Sequence, residues 1–127
     1  MTDTLNRIHN STNPYQGKFK RILCVCSAGL LRSPTIAYVL SQEPYNYNTR
    51  AAGIEESYAL IPVDQVLLSW AQEIVCVSQA HKERLEASLK EFGYNRTVLC
   101  LDIPDNFEYR DHTLIATIKD AYAKVSG

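Results

Sequence analysis

From Lys20 onward, the sequence alternates four times between a short apolar run and a stretch with helical periodicity. The apolar runs have the length of buried strands, and the stretches between them are long enough to form crossover helices. Strands joined by such crossovers pair in parallel, and the helices then cover both faces of the sheet. The alternation therefore predicts a three-layer α/β domain around a four-stranded parallel sheet.

The bounds of these elements follow from branched apolar residues, capping residues and prolines. The predicted strands are RILCVC (21–26), NTRAAG (48–53), EIVCVS (73–78) and RTVLCLD (96–102). The predicted helix starts are Ser33-Pro34, with the serine as cap and the proline in the first turn, then Pro62, and Ser78 and Asp111 as caps. The predicted inner faces are Ile36, Val39 and Leu40; Val63, Val66, Leu67 and Trp70; Leu85, Leu89 and Phe92; and Leu114, Ile118, Ala121, Tyr122 and Val125.

Length and charge limit what such a domain can be. The 127 residues allow one domain, which we place at 20–127, after a polar, aperiodic N-terminal extension at 1–19. The formal net charge of -1 argues against nucleic-acid binding through a broad basic surface. No apolar run approaches the roughly 20 residues of a membrane span, and the amino end lacks a secretory signal pattern. A cytoplasmic protein without a membrane span is expected.

Ligands of parallel α/β sheets bind beyond the carboxyl ends of the strands, and two predicted loops lie there, at 26–32 and 102–111. The first reads Cys-Ser-Ala-Gly-Leu-Leu-Arg and leads into a helix start, whose free amides and dipole favour an anion. Gly29 permits a left-handed backbone, and the planar fork of Arg32 matches two phosphate oxygens. The same positive field is expected to hold Cys26 as a thiolate, with the Ser33 hydroxyl donating to its sulfur. The expected phosphate-binding residues are Ser27, Ala28, Gly29, Leu30, Leu31, Arg32 and Ser33.

Three segments of the chain resemble the low-molecular-weight protein tyrosine phosphatases. CVCSAGLLRSPTIA resembles the phosphate loop of that family, TRAAG its second strand, and LDIPD its acid loop. The string from Leu101 to Tyr109 is most similar to a short bacterial and phage-type branch of predicted tyrosine phosphatases. The resemblance spans about residues 20–125 and implies a phosphotyrosine protein phosphatase I-like fold, with strand order 2-1-3-4. It also implies hydrolysis of phosphotyrosine without a metal or other cofactor.

The resemblance assigns roles to three residues. Cys26 is then the nucleophile, Arg32 and the loop amides bind the phosphate, and Asp105 is the general acid and base. Asp102 and Asp111 are the alternative candidates for the acid. Asp102 is instead expected to brace the strand end or loop, and Asp111 to cap a helix.

The chain departs from the family pattern at three positions. Gly29 replaces an Asn, so the hydrogen bonds of that side chain are lost. Leu31 replaces the second cysteine that protects the nucleophile from oxidation in many members. Asn106 replaces the proline that follows the acid, which leaves the loop less rigid.

Aromatic residues near the predicted loops are candidates for the wall of a substrate mouth. These are Tyr45, Tyr47, Phe107 and Tyr109, with partly buried packing as the alternative for each. His81 is predicted to be a surface or packing histidine rather than a catalytic one.

The expected partner is a phosphotyrosine-containing protein or peptide, with small aryl or sugar phosphates as alternatives, and a monomer or weak dimer is expected. A cysteine phosphocarrier of the sugar phosphotransferase type shares the Cys-Ser-Ala-Gly string but typically has Ser or Thr in place of Arg32. Arsenate reductase on the same fold needs two further cysteines close together, whereas Cys76 and Cys100 are predicted to be separate buried strand residues. A non-enzymatic module that binds phosphoproteins is the remaining alternative.

Overall fold

The computed structural model describes residues 19–27, 32–55, 61–103 and 112–126, in which four strands and four helices alternate. The strands are β1 (Arg21–Cys26), β2 (Asn48–Gly53), β3 (Glu73–Cys76) and β4 (Thr97–Cys100). The helices are α1 (Arg32–Ser41), α2 (Gln65–Trp70), α3 (Gln79–Phe92) and α4 (His112–Ser126). All four predicted strands are present, although β3 and β4 are shorter than predicted.

The four strands form one parallel sheet in the order β2-β1-β3-β4. In its register, Ile22 of β1 lies opposite Thr49 of β2 and Glu73 of β3. Because the strands are parallel, all four carboxyl ends lie at one edge of the sheet. The predicted three-layer fold with strand order 2-1-3-4 is confirmed, and it places the end of β1 near the middle of that edge.

The central strand β1 separates two hydrophobic clusters, because successive side chains of a strand point to opposite faces. Ile22, Cys24 and Cys26 belong to the first cluster, and Leu23 and Val25 to the second. The first is completed by Ile36 and Leu40 of α1 and by Leu114, Ile118 and Tyr122 of α4. The second is completed by Leu67, Leu68 and Trp70 of α2 and by Leu85 and Leu89 of α3. Helices therefore cover both faces of the sheet.

The second helix starts later than predicted. It begins at Gln65 because Asp64 is its N-cap, where Oδ1 accepts the backbone N–H of Leu67 at 2.9 Å. Pro62 lies outside the helix and forms a β-bridge with Gly53. Proline as an opening residue was therefore the wrong signal here, and the aspartate two residues later was the correct one.

The other helix starts have three different outcomes. Ser78 caps α3 as predicted, with Oγ accepting the backbone N–H of His81 at 3.2 Å. The first helix begins at Arg32, so Ser33 lies inside its first turn and is not the cap. Asp111, the predicted cap of the last helix, lies outside the described residues.

Two residues predicted for inner helix faces lie at the surface. Phe92 and Val125 are each 40% exposed, at the last turns of α3 and α4. Phe92 contacts Tyr94, with the ring centroids 6.2 Å apart, and Gly93 ends α3 in a left-handed conformation. Helical periodicity places a residue on one face of its helix, but the sheet is too short to cover the last turns of α3 and α4.

Residues 1–18 of the predicted N-terminal extension lie outside the described part. Of the helices in that part, none combines the length and the apolar character that crossing a membrane requires.

Candidate active site

The carboxyl end of β1 leads directly into the predicted phosphate loop. The backbone N–H of Ile54 donates to the Cys26 carbonyl at 2.9 Å, and that of Glu55 donates to the Ser27 carbonyl at 3.0 Å. These two bonds continue the pairing of β1 with the chain beyond β2. Cys26 and Ser27 are therefore held by the backbone at the edge where ligands of parallel sheets bind.

The Cys26 thiol is buried and contacts the hydroxyl group of Ser33. Its Sγ lies 3.2 Å from Oγ of Ser33, which in turn lies 3.3 Å from the carbonyl oxygen of Ala52 on β2. When Cys26 is a thiol, its S–H donates to Ser33 and Ser33 donates to Ala52. When the sulfur ionises, the Ser33 proton can rotate toward it, because a hydroxyl both donates and accepts. The same hydroxyl then stabilises the thiolate.

Arg32 is 7% exposed, and its guanidinium is held by the chain segment that follows β4. Its Nη1 donates to the carbonyl oxygen of Ile103 at 2.8 Å. Ile103 is itself fixed, because its N–H donates to the Val77 carbonyl at 3.0 Å. This arrangement orients the fork of Arg32 relative to the segment that follows β4.

Asp102 is exposed and has a left-handed backbone with φ of 58°, a conformation that aspartate tolerates better than most residues. It turns the chain so that Ile103 returns beneath the end of β3. Asp102 also lines an open cavity of about 520 Å³, together with Thr117 and Lys124 of α4. Neither Cys26 nor Arg32 lines this cavity. The position of Asp102 therefore fits a bracing role in the turn.

Several predicted site residues lie outside the described residues and remain predictions. They are Ala28, Gly29, Leu30 and Leu31 of the phosphate loop, Asp105 as the acid, and Phe107 and Tyr109 of the mouth.

Tyr45 and Tyr47 lie at the opposite edge of the sheet, so their predicted place in the substrate mouth is wrong. Both precede β2 and pack against Tyr122, at centroid distances of 5.2 and 6.4 Å. Tyr47 also lies beneath Lys20, whose Nζ is 5.8 Å from the ring centroid. The Tyr122 hydroxyl donates to Glu73 at 3.0 Å, and Glu73 is the first residue of β3. Residues before a parallel strand lie at its amino end, away from the phosphate loop.

His81 belongs to the site, although the sequence did not identify it. It is 8% exposed, and its Nε2 lies 3.2 Å from Oγ of Ser27. Its Nδ1 is buried without a hydrogen-bond partner among the described residues. The signal that could have identified it is the Ser78 cap, which places His81 on the first turn of α3. Helices that follow parallel strands start at the ligand edge of the sheet.

The surroundings of His81 predict a pH dependence of stability. Burial lowers the pKa of His81, and the Arg32 and Arg84 guanidiniums lower it further, against a smaller opposite effect of Glu55. The folded protein therefore binds fewer protons at His81 than the unfolded chain, where histidine titrates near pH 6.5. The stabilisation is present above about pH 6.5 and is lost as the pH falls below that value.

We expect the urea unfolding midpoint of the wild type to fall more steeply between about pH 7.5 and 5 than that of His81→Gln. Glutamine does not titrate in this range, so this difference measures the histidine alone. His112→Gln is the matched control, because His112 is exposed. Parallel pH profiles for the wild type and His81→Gln would contradict the prediction.

The other three cysteines are free thiols on two faces of the sheet. Burial raises the pKa of Cys24, which shares the face of Cys26, far above the usual value, so Cys24 stays protonated. Cys76 and Cys100 lie directly opposite each other on β3 and β4, so the prediction that they are separate is wrong. Burial, and next the neighbouring Cys100, raises the pKa of Cys76 to about 12. Both belong to the cluster of Val25, on the face opposite Cys26.

Solved structures similar to this chain include phosphatases. Wzb from Vibrio vulnificus, in complex with benzylphosphonate, is 21% identical with a TM-score of 0.64, over 84% of this chain and 97% of that one. The YwlE arginine phosphatase from Geobacillus stearothermophilus is 19% identical with a TM-score of 0.61, over 82% and 86%. The tyrosine phosphatase Wzb from Escherichia coli K30, in complex with phosphate, is 17% identical with a TM-score of 0.62, over 84% and 96%.

No protein-family model matches the sequence, and a search of curated proteins found no match. At these identities, the solved structures establish the likeness at the level of the fold. The likeness extends over more than four-fifths of the chain. The chain has the fold of the low-molecular-weight tyrosine phosphatases.

Proposed function

We propose that this protein is a metal-free protein tyrosine phosphatase that hydrolyses aryl phosphate monoesters through a cysteinyl-phosphate intermediate. The observation that carries the proposal is the placement of Cys26 and Arg32 at the same edge of the sheet. The buried thiol has a hydroxyl contact at 3.2 Å, and the buried guanidinium is oriented by a carbonyl contact at 2.8 Å. A thiolate and a phosphate dianion both need compensating positive charge and donors, which this edge supplies.

The proposed reaction has two in-line steps. In the first, the Cys26 sulfur attacks phosphorus, and an S–P bond forms as the bond to the phenol oxygen breaks. The departing oxygen keeps that electron pair and takes a proton from Asp105. In the second, water attacks phosphorus, Asp105 accepts its proton, and the S–P bond breaks to return the thiolate. Arg32 and the loop amides hold the equatorial oxygens, and Ser33 stabilises the leaving sulfur.

Asp105 is proposed as the acid because of where its segment starts. Ile103 contacts Arg32, and Asp105 is two residues further along the chain. Two residues span at most about 7 Å, so Asp105 is within reach of the site along the chain. We propose Phe107 and Tyr109, on the same segment, as the aromatic wall of the substrate mouth. Asp102, by contrast, lines the cavity beside α4.

The proposed substrate is a phosphotyrosine-containing protein or peptide, acted on in the cytoplasm, where thiols stay reduced. One similar structure is an arginine phosphatase, which makes phosphoarginine the second substrate to compare. Small aryl and sugar phosphates are further alternatives. Arg32 favours a hydrolase over a phosphocarrier, which has to keep its phosphorylated cysteine. The position of Cys76 and Cys100, on the face opposite Cys26, argues against direct disulfide exchange as in arsenate reductase.

The proposal is tested by the release of p-nitrophenol from p-nitrophenyl phosphate in EDTA, between about pH 5 and 8. We expect turnover that vanadate inhibits and that added divalent metals do not increase. Peptides carrying phosphotyrosine and phosphoarginine, matched in sequence, then distinguish the two substrate classes. A higher kcat/KM for the phosphotyrosine peptide is the expected result.

Three outcomes would contradict parts of the proposal. Absence of turnover by the folded protein would contradict the proposed hydrolase activity. A stable phosphate on Cys26 would then support the phosphocarrier function. Turnover that requires a divalent metal would overturn the metal-free mechanism. A higher kcat/KM for phosphoarginine would keep the cysteine chemistry but change the substrate class.

A further inference from the structure

The two ring nitrogens of His81 have different surroundings beside the first residue of the phosphate loop. Nε2 lies 3.2 Å from Oγ of Ser27, whereas Nδ1 is buried and has no hydrogen-bond partner in the described part of the chain. The backbone N–H of His81 donates to the Ser78 cap at 3.2 Å. The ring is therefore carried by a fixed first turn of α3 and points at the end of β1.

This asymmetry selects one tautomer of the ring. A neutral imidazole has one N–H, which either nitrogen can carry. A proton on Nδ1 would leave a buried donor unpaired, and unpaired buried N–H groups are rarer in proteins than unpaired acceptors. A proton on Nε2 instead donates to Oγ of Ser27. The hydrogen bond between His81 and Ser27 therefore runs from the ring to the hydroxyl.

The charged groups that face His81 favour the neutral ring. Arg32 of α1 and Arg84 of α3 both act on it electrostatically, and Glu55 beyond β2 acts in the opposite sense. Nη1 of Arg84 donates to Glu55 at 2.8 Å, so this carboxylate is already paired. Two guanidiniums near the ring disfavour a third positive charge. A second ring proton would also place an N–H at Nδ1, where the described residues offer no acceptor.

We infer that His81 is a positioning residue of the phosphate loop, which, neutral and protonated on Nε2, fixes Ser27 where the loop begins. Ser27 is then held twice, by the His81 ring at its hydroxyl and by the Glu55 N–H at its carbonyl, at 3.0 Å. Fixing the first residue pre-organises the amides that follow it for an oxyanion. The inference rests on the proposed function in one respect, since that function supplies the oxyanion.

A double-mutant cycle separates this role from simple packing. His81→Phe keeps the ring volume and removes the donor, and His81→Gln supplies a neutral donor in the place of Nε2. We expect His81→Phe and Ser27→Ala each to lower kcat/KM for p-nitrophenyl phosphate, and the affinity for vanadate, by about tenfold to a hundredfold. The double variant should lose no more than the larger single loss. His81→Gln should stay within about threefold of the wild type, and His112→Gln, the control, should be unchanged.

Independent losses that multiply in the double variant would overturn the inference, and so would wild-type kinetics in His81→Phe. If His81→Phe unfolds, the inference is tested by the kinetics of Ser27→Ala and His81→Gln and by the protonation state of the His81 ring. Nitrogen-15 NMR of the wild type at about pH 7.5 is expected to show His81 protonated on Nε2, with a resonance that shifts in Ser27→Ala. A proton on Nδ1 would overturn the inference. Absence of turnover in the wild type would contradict the proposed function alone, because the NMR result does not depend on catalysis.

Discussion

Replacement of Cys26 by serine is expected to abolish p-nitrophenol release while the domain stays folded. A serine hydroxyl is not ionised near neutral pH and needs an adjacent general base to become a nucleophile. The contact with Ser33 at 3.2 Å can be kept by the hydroxyl, so the buried position retains a partner. The expected loss is at least about 10⁴-fold in kcat, measured beside the unfolding midpoint in urea.

Cys24→Ala is the matched control for this variant. Cys24 lies on the same strand and in the same hydrophobic cluster as Cys26, and its thiol is fully buried. Its removal tests whether the loss of any thiol on this face reduces activity. We expect Cys24→Ala to keep turnover. Hydrolysis that persists in Cys26→Ser would place the nucleophile elsewhere in the chain.

The second large effect is expected for Asp105→Asn. Asparagine keeps the shape of the side chain but cannot deliver the proton that the departing phenol oxygen needs. We expect kcat/KM to fall by about 10²–10⁴ on a phosphotyrosine peptide, whose leaving group is poor. The loss should be smaller on p-nitrophenyl phosphate, because its better leaving group needs less protonation. The ratio of the two losses is the measurement that identifies a general acid.

Asp102→Asn is the control that decides between the two carboxylates. Asparagine tolerates a left-handed backbone as aspartate does, so the turn at φ of 58° is preserved. We expect this variant to stay within about threefold of the wild type on both substrates. A larger loss for Asp102→Asn than for Asp105→Asn would show that the acid has been assigned to the wrong residue.

The sheet and the position of Cys26 at the end of β1 could be predicted because they depend on local patterns. A run such as RILCVC (21–26) is apolar and branched over the length of one buried strand, and β1 has those bounds. Alternation with helices then determines that the strands are parallel and that Cys26 reaches the ligand edge. Tyr45 and Tyr47 could also have been placed at the other edge, because they precede a strand rather than follow one.

The positions of His81 and of the Cys76–Cys100 pair depend on tertiary packing and register. The Ser78 cap places His81 on the first turn of α3, but the local sequence does not show that this turn packs on Ser27. The pairing of Cys76 with Cys100 is set by the register of β4 against β3. An apolar strand gives little local information on that register. Asp105 remains a prediction, because its assignment rests on the resemblance and on the position of Ile103.

The hydrogen bond between Arg32 and the Ile103 carbonyl joins two parts of the chain that would otherwise be redesigned separately. One partner in this hydrogen bond belongs to the segment proposed to bind phosphate, and the other precedes the segment proposed to deliver the proton. An engineer who grafts a new acid loop after β4 has to preserve a carbonyl oxygen at the place of Ile103. Without that oxygen, the guanidinium of Arg32 loses the hydrogen bond that orients it. A change meant to alter protonation of the leaving group would then also alter the proposed binding of phosphate.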